Sequence, residues 1–299
     1  MAPKVKFDDR LASDPIYFIE NCLKVIDKKE QLTPMQLWPA QKHFIEHQGK
    51  RNVILKNRQQ GMSTGIMANS SHALFTKQYQ RMCLIAHEDS TAEFLFQTVQ
   101  RFYKNLPWNE GIMDADKLRP RTDWKSGRRM RFPSLDSYIY IDSARSDNLS
   151  VGFSLSRAHL SEVAKWPAYK ADQLFADVSQ TVSADGSIII ESTPKGKQGL
   201  FYKLYQSAKL KENDYSVFFY PWWWDVTCIA DTEAWLTKEK ADIIARKLGI
   251  TVQTLTNQER LMSEEYKLSP SQIAFRRQKI GELGARFFQE YPENDIDCW

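Results

Sequence analysis

The 299-residue sequence contains no apolar stretch near the roughly 18 residues of a membrane span; its densest run, Phe218–Trp224, is interrupted by Pro221. Met1–Arg10 alternates charged and small residues without an apolar core, so no secretory leader is expected. Cysteine is scarce. Cys22, Cys83, Cys228 and Cys298 lie far apart with no C-x-x-C spacing, which excludes a disulfide framework or a zinc site and points to reduced thiols. Neither sign of charge dominates: 41 Lys+Arg against 37 Asp+Glu leave a net charge of +4, which excludes a histone-like polycation. The five histidines offer one i,i+4 pair, His43 and His47, with no third ligand nearby, and that pair reads as a helix face. Repeats and low-complexity tracts are absent. What is present, 42% hydrophobic and 12% aromatic residues, suffices for a sizeable core and excludes wholesale disorder.

Hydrophobic periodicity predicts helices over Pro15–Lys28 and Trp38–His47, then short apolar runs alternating with amphipathic ones. Strands are expected at Asn52–Leu55, Met82–Ala86, Ser156–Leu160, Ser187–Ile190 and Ser216–Tyr220, with a strand pair at Met130–Phe132 and Tyr138–Ile141. Helices are expected at Ser63–Gln78, Thr91–Lys104, Tyr169–Val182 and Leu200–Leu210. This alternation argues for an α/β fold with a mainly parallel sheet covered on both faces. From Thr232 to Leu283 the pattern is helical and polar. Three regions are therefore expected: an N-terminal helical segment at 1–35, an α/β core at 36–225 and a helical lid at 226–299.

The first strand runs into Lys56-Asn57-Arg58-Gln59-Gln60-Gly61-Met62-Ser63-Thr64, and a helix follows at once. Strand, tight loop and helix form the setting of a phosphate-binding loop, in which backbone amides face the anion and a hydroxyl reaches Mg²⁺. Gly61 and Ser63 fit that pattern; Lys56 and Met62 stand where a glycine and a lysine are usual. Arg58 can supply the missing charge to the phosphates. An ordinary strand-to-helix turn is the alternative. About a hundred residues on, His159-Leu160-Ser161-Glu162 ends a strand: Glu162 suits a general base, while Ser161 occupies the place of a metal-positioning Asp. A third strand ends in Glu191-Ser192-Thr193-Pro194-Lys195-Gly196, whose hydroxyls suit a γ-phosphate or a lytic water.

These three motifs, with Leu160-Ser161-Glu162-Val163-Ala164-Lys165-Trp166 as the second, resemble the ATPase domain of tailed-bacteriophage terminase large subunits. The resemblance spans roughly Leu37 to Tyr220, and Arg286–Pro292 looks like the segment preceding the nuclease in that family. It implies a RecA-like P-loop (ASCE-type) ATPase core with a small helical lid, and ATP and Mg²⁺ as cofactors. Gln41 would read adenine. Residues 56–64 would bind nucleotide, with Arg58 as the loop arginine. Ser63 and Ser161 would face the metal, Glu162 would be the catalytic carboxylate, and Ser192-Thr193 would couple hydrolysis to movement. Met62 and Ser161 depart from stricter members.

The implied activity is ATP hydrolysis driving double-stranded viral DNA into a procapsid. The implied partners are a portal protein, a small terminase subunit and further copies in a ring, in the host cytoplasm and away from membranes. Arg145 would be an arginine finger for a neighbouring copy, or else a loop arginine bonded to Asp147. Seven cations between Lys117 and Arg131 suit DNA phosphates or a solvated hairpin edge. Tyr220–Trp224 reads as core packing. A superfamily-2-like helicase needs a second RecA-like domain, whereas only 75 residues follow Trp224 and they read as helical. A non-hydrolysing DNA-binding packaging protein is the other alternative. Glu293, Asp295 and Asp297 form the nearest approach to a nuclease cluster, and the nuclease itself is expected beyond Trp299.

Overall fold

The computed structural model describes residues 9–27, 29–106, 120–126, 128–146 and 154–299. Lys117, Arg119, Asp147 and Asn148 lie outside the described residues. The chain enters through α1 (Asp9–Ser13) and α2 (Pro15–Cys22), where Asp14 accepts the Tyr17 amide at 3.0 Å and Pro15 opens the helix. Both devices suit a first turn, whose amides lack partners within the helix. The predicted continuation to Lys28 does not occur. Leu23 turns extended, and β1 (Lys24–Ile26) pairs antiparallel with β2 (Leu32–Pro34). β-Branched Val25 and Ile26 favour a strand, and Asp27 Oδ1 closes the turn by accepting the amides of Lys29 at 2.8 Å and Gln31 at 3.0 Å.

Eight strands form the main sheet: β3 (Arg51–Lys56), β4 (Arg81–Ala86), β5 (Asp123–Ser126), β6 (Arg129–Phe132), β7 (Ser137–Ser143), β8 (Leu155–Ser161), β9 (Val182–Ser192) and β10 (Ser216–Tyr220). Their spatial order is β10-β3-β9-β8-β4-β7-β6-β5. From β3 through β9, β8 and β4 to β7 every pairing is parallel, while β6 and β5 add an antiparallel edge. With α3 (Pro39–His47), α4 (Met62–Thr76), α5 (Asp89–Lys104), α6 (Ala168–Thr181) and α7 (Gly199–Lys209), this is the RecA-like α/β architecture. The central strands read as continuous apolar runs because both their faces are covered. β9 is longer than the predicted Ser187–Ile190, since the polar stretch Ser183-Ala184-Asp185-Gly186 hides its first half.

By internal contacts the chain divides into two units. The first comprises Met1–Leu55, Gly61–Ser192 and Gln198–Phe218; the second comprises Lys56–Gln60, Thr193–Lys197 and Phe219–Trp299. In the first, Phe18, Ile19, Leu74, Leu84, Val99, Phe102 and Phe132 are fully buried in one cluster, so the N-terminal helices share the core of the sheet. Each such side chain contributes about 1.5–3 kcal/mol by leaving water.

The second unit contains α8 (Thr232–Trp235), α9 (Lys238–Leu248), α10 (Val252–Tyr266), α11 (Pro270–Leu283) and α12 (Phe287–Glu290) around buried Trp222, Ile244, Leu255, Ile280 and Phe287. Thr237, Thr251 and Ser269 cap α9, α10 and α11 through their side chains. Arg277 grips Glu259 with two hydrogen bonds of 2.8 Å, and Arg276 holds Glu293 at 2.7 and 3.1 Å. Glu293 also accepts from Trp222 Nε1 at 3.2 Å, so this carboxylate serves the packing of the helical unit.

Candidate functional site

Parallel strands bring their carboxyl ends to one edge, where sheets of this kind hold ligands. β8 and β9 are paired so that Ser161 stands opposite Glu191, while Ile54 of β3 flanks Glu191 on the other side. Glu191 is fully buried. Ser161 Oγ donates to its Oε1 at 2.6 Å, and Ser63 Oγ, from the first turn of α4, donates to the same oxygen at 2.6 Å. His159, two residues before Ser161 and therefore on the same face of β8, places Nε2 at 3.5 Å from that oxygen. Two hydroxyls and an imidazole thus surround one carboxylate oxygen. Sequence reasoning brought Ser63 and Ser161 to the site but passed over Glu191. The available signal was a charge ending the apolar run Ile188-Ile189-Ile190.

Glu162 leaves β8 with φ +53°, in the left-handed region uncommon outside glycine. Its Oε2 lies 3.0 Å from Lys165 Nζ, across the 3₁₀ turn Val163–Lys165. That turn is fastened at both sides: the Ala164 amide donates to Ser192 Oγ at 3.2 Å, and Trp166 Nε1 donates to the Ser161 carbonyl at 3.0 Å. Arg157 is engaged elsewhere, with Ser187 and Ser70. His87, just past β4, feels the charges of Glu162, Lys165 and Arg145 at this same edge. Burial pushes its imidazole below the usual value, helped by Lys165 and Arg145 and opposed by Glu88 and Glu162. Arg145, two residues beyond β7, is exposed.

Gln41 is buried, and its amide is engaged on the chain itself. Its Oε1 accepts the Trp38 amide at 2.9 Å, and its Nε2 donates to the Gly61 carbonyl at 2.7 Å. Gly61 is the N-cap of α4 at φ +67°, and a Cβ there would meet Gln41 Nε2 at 2.9 Å. At Gly65 a Cβ would stand 2.8 Å from Gln41 Cγ. Both glycines are required by the glutamine that braces the loop exit. The resemblance assigns this amide to adenine; within the chain it also braces the loop exit. Met62 is buried, while Ser63 and Thr64 are half-buried in the same first turn.

The loop residues of the second unit have their own setting. Lys56, Asn57 and Gln60 are buried, whereas Arg58 and Gln59 are exposed, with Gln59 at φ +58°. Asn57 Nδ2 donates to the Arg58 carbonyl at 3.1 Å and Gln60 Nε2 to the Pro221 carbonyl at 3.4 Å. Asn57 Oδ1 and Gln60 Oε1 are buried and make no hydrogen bond among the described residues. Arg58 faces Glu290 of α12, and Gln289 Nε2 donates to the Pro194 carbonyl at 3.1 Å. Thr193 is buried.

The basic hairpin is partly tied into the sheet: Arg128 pairs with Asp142 and, at 3.0 Å, with Asp89, while Arg129 lies over the Tyr138 ring. Arg121 and Arg131 are exposed. Among the described residues no helix is long and apolar enough to cross a membrane.

No family profile matches this sequence, and no curated protein does. Among solved structures, the HK97 bacteriophage large terminase superposes with a TM-score of 0.62 at 19% identity, covering 94% of this chain and 54% of that one. The ATPase domain of the Thermus phage P74-26 large terminase matches with a TM-score of 0.48 at 22% identity, over 63% of this chain and 82% of that one. The large terminase of another thermophilic bacteriophage, in complex with ATP-gamma-S, matches with a TM-score of 0.47 at 15% identity, over 70% and 49%. The chain therefore has the fold of the HK97 large terminase, in agreement with the resemblance drawn from its motifs, and spans about half the length of that structure.

Proposed function

We propose that this chain binds ATP and hydrolyses it as the motor of a viral DNA-packaging terminase. The observation that carries the reading is the exit of the loop: Gly61 in the left-handed conformation at the N-cap of α4, and Ser63 one residue into that helix, hydrogen-bonded to a carboxylate at the carboxyl edge of the sheet. Amides at such a helix start favour an anion, and phosphates are the anions this arrangement holds best.

In the proposed reaction, residues 56–64 cradle the phosphates, and Arg58 supplies the charge that Met62 lacks. Glu162 orients the attacking water and accepts its proton as the water oxygen bonds in line to the γ-phosphorus and the bond to the bridging oxygen breaks, releasing ADP and phosphate. Ser192 and Thr193 would link hydrolysis to movement, Ser192 through its hold on the turn that carries Glu162. Arg145, exposed at the rim, would complete the site of a neighbouring copy. Gln41 acts on the nucleotide through the position of Gly61. Ser63 and Ser161 suit Mg²⁺, a hard cation that takes oxygen ligands; when bound it would neutralise charge on the phosphates. Double-stranded DNA, the portal and procapsid, a small terminase subunit and a homo-oligomeric ring are the partners this reading entails.

Titration with ATP-gamma-S and steady-state phosphate release, measured with and without double-stranded DNA and procapsids, test the proposal together. Saturable nucleotide binding and turnover are expected. Absence of nucleotide binding under every condition would sink the reading.

A further inference from the structure

We infer that Glu191, at the end of β9, supplies the carboxylate of the metal site that β8 does not carry. The inference rests on the nucleotide-binding reading above and assigns to this residue the charge missing at Ser161. Position 161 ends β8 where a metal-positioning Asp is usual, and a serine there brings an oxygen but no charge. In the sheet register the residue directly beside it is Glu191. β8 carries a serine at this level and its neighbour presents a carboxylate.

The hydrogen bonds define the constellation. Ser63 and Ser161 both donate to Glu191 Oε1 at 2.6 Å. A hydroxyl that gives its proton to a carboxylate keeps its lone pairs for a cation, so this arrangement turns both serine oxygens into ligands. Burying a carboxylate with no exposure is costly unless a positive charge or several donors compensate. Two hydroxyls contribute to that compensation, and they place three oxygens, Ser63 Oγ, Ser161 Oγ and Glu191 Oε1, side by side. His159 is buried beside the group, with Nε2 at 3.5 Å from Oε1 and no hydrogen bond to either ring nitrogen among the described residues. Oxygen number and hardness match Mg²⁺, which takes one or two carboxylates together with phosphates and water.

The test is equilibrium binding of fluorescent ADP to the full chain, in EDTA and in Mg²⁺, with the ratio of the two affinities as the readout for each variant. Glu191→Gln preserves shape and can still accept from both serines. It is expected to lose about 10-fold or more of the parent's Mg²⁺ enhancement, the range seen when groups around a metal are altered. Ser161→Asp combined with Glu191→Gln moves the carboxylate to β8 and is expected to restore the enhancement; this double variant also serves if the single one does not fold. Retention of the parent's ratio by Glu191→Gln, or no enhancement in a folded double variant, would overturn the assignment while leaving nucleotide binding intact. A parent that binds ADP in neither condition would instead remove the nucleotide reading, and the assignment with it.

Discussion

Arg58 is tied to Glu290 twice: its amide donates to the Glu290 carbonyl at 3.0 Å, and its guanidinium stands 3.6 Å from Glu290 Oε2. The proposed phosphate-loop arginine is thus positioned by a residue 232 places further along the chain. The backbone contact sets the path of the loop, while the looser side-chain contact leaves the guanidinium, 59% exposed, open to a stronger anion.

Arg58→Ala is expected to weaken nucleotide binding about tenfold or more, because a charge-assisted contact to phosphate is worth about 1.5–3 kcal/mol. Its melting temperature should stay near the parent's. Met62→Ala should do the reverse: buried methionine truncation costs about 2–5 kcal/mol of stability, with affinity little changed. Fluorescent-nucleotide titration beside thermal melts separates the two, and equal affinity of Arg58→Ala and the parent would place the loop charge elsewhere.

Glu290→Gln removes the carboxylate that competes with phosphate for Arg58 and keeps the backbone contact. A partly exposed pair of this kind is worth about 0–1 kcal/mol, so nucleotide affinity should rise by up to about fivefold. The same titration checks it; a fall in affinity would mean that Glu290 presents the guanidinium to the phosphates.

Gln41→Ala is expected to weaken ATP and GTP alike, since the lost hydrogen bond positions Gly61 and not the base. Gly65→Ala should resemble it by pushing on Gln41 Cγ. Competition titrations with both nucleotides decide the matter. Loss of ATP binding alone would return the glutamine to adenine recognition.

Glu162→Gln should keep nucleotide binding while turnover falls by at least ~10²-fold, the lower range for a general base. If Glu162 serves only the contact with Lys165, turnover would survive. Phosphate release measured with DNA and procapsids, as well as alone, distinguishes the outcomes.

His72 makes stability depend on pH. It lies in α4 against Phe18, with Nε2 3.1 Å from the Leu11 carbonyl, and burial lowers its pKa from 6.5 to about 4. The unfolded chain therefore binds a proton that the folded chain refuses. Its contribution to stability is complete above pH 6.5 and lost as pH falls towards 4, amounting to about 3 kcal/mol. Denaturant melts across this window should show the loss, and His72→Leu should flatten it. An unchanged slope in the variant would assign the acid limb to other groups.

The strand–helix alternation, the parallel sheet and the order of the three motifs were legible in the sequence because each rests on local properties: apolar periodicity, β-branched runs, and a glycine and serine at a loop exit. The resemblance to phage terminases rested on the same local residues, and the superposition agrees at the level of fold. What failed locally was the end of α2, where Asp27 and the pairing of Lys24–Ile26 with Leu32–Pro34 overrode helical spacing. The partners of the site residues were decided by tertiary structure alone. Ser161 and Glu191 are 30 positions apart and become neighbours only through strand register. Gln41 meets Gly61, and Arg58 meets Glu290, only after helices from distant segments have packed. Spacing along a chain cannot report which carboxylate a hydroxyl will face, because that depends on how the strands are ordered and aligned in the sheet.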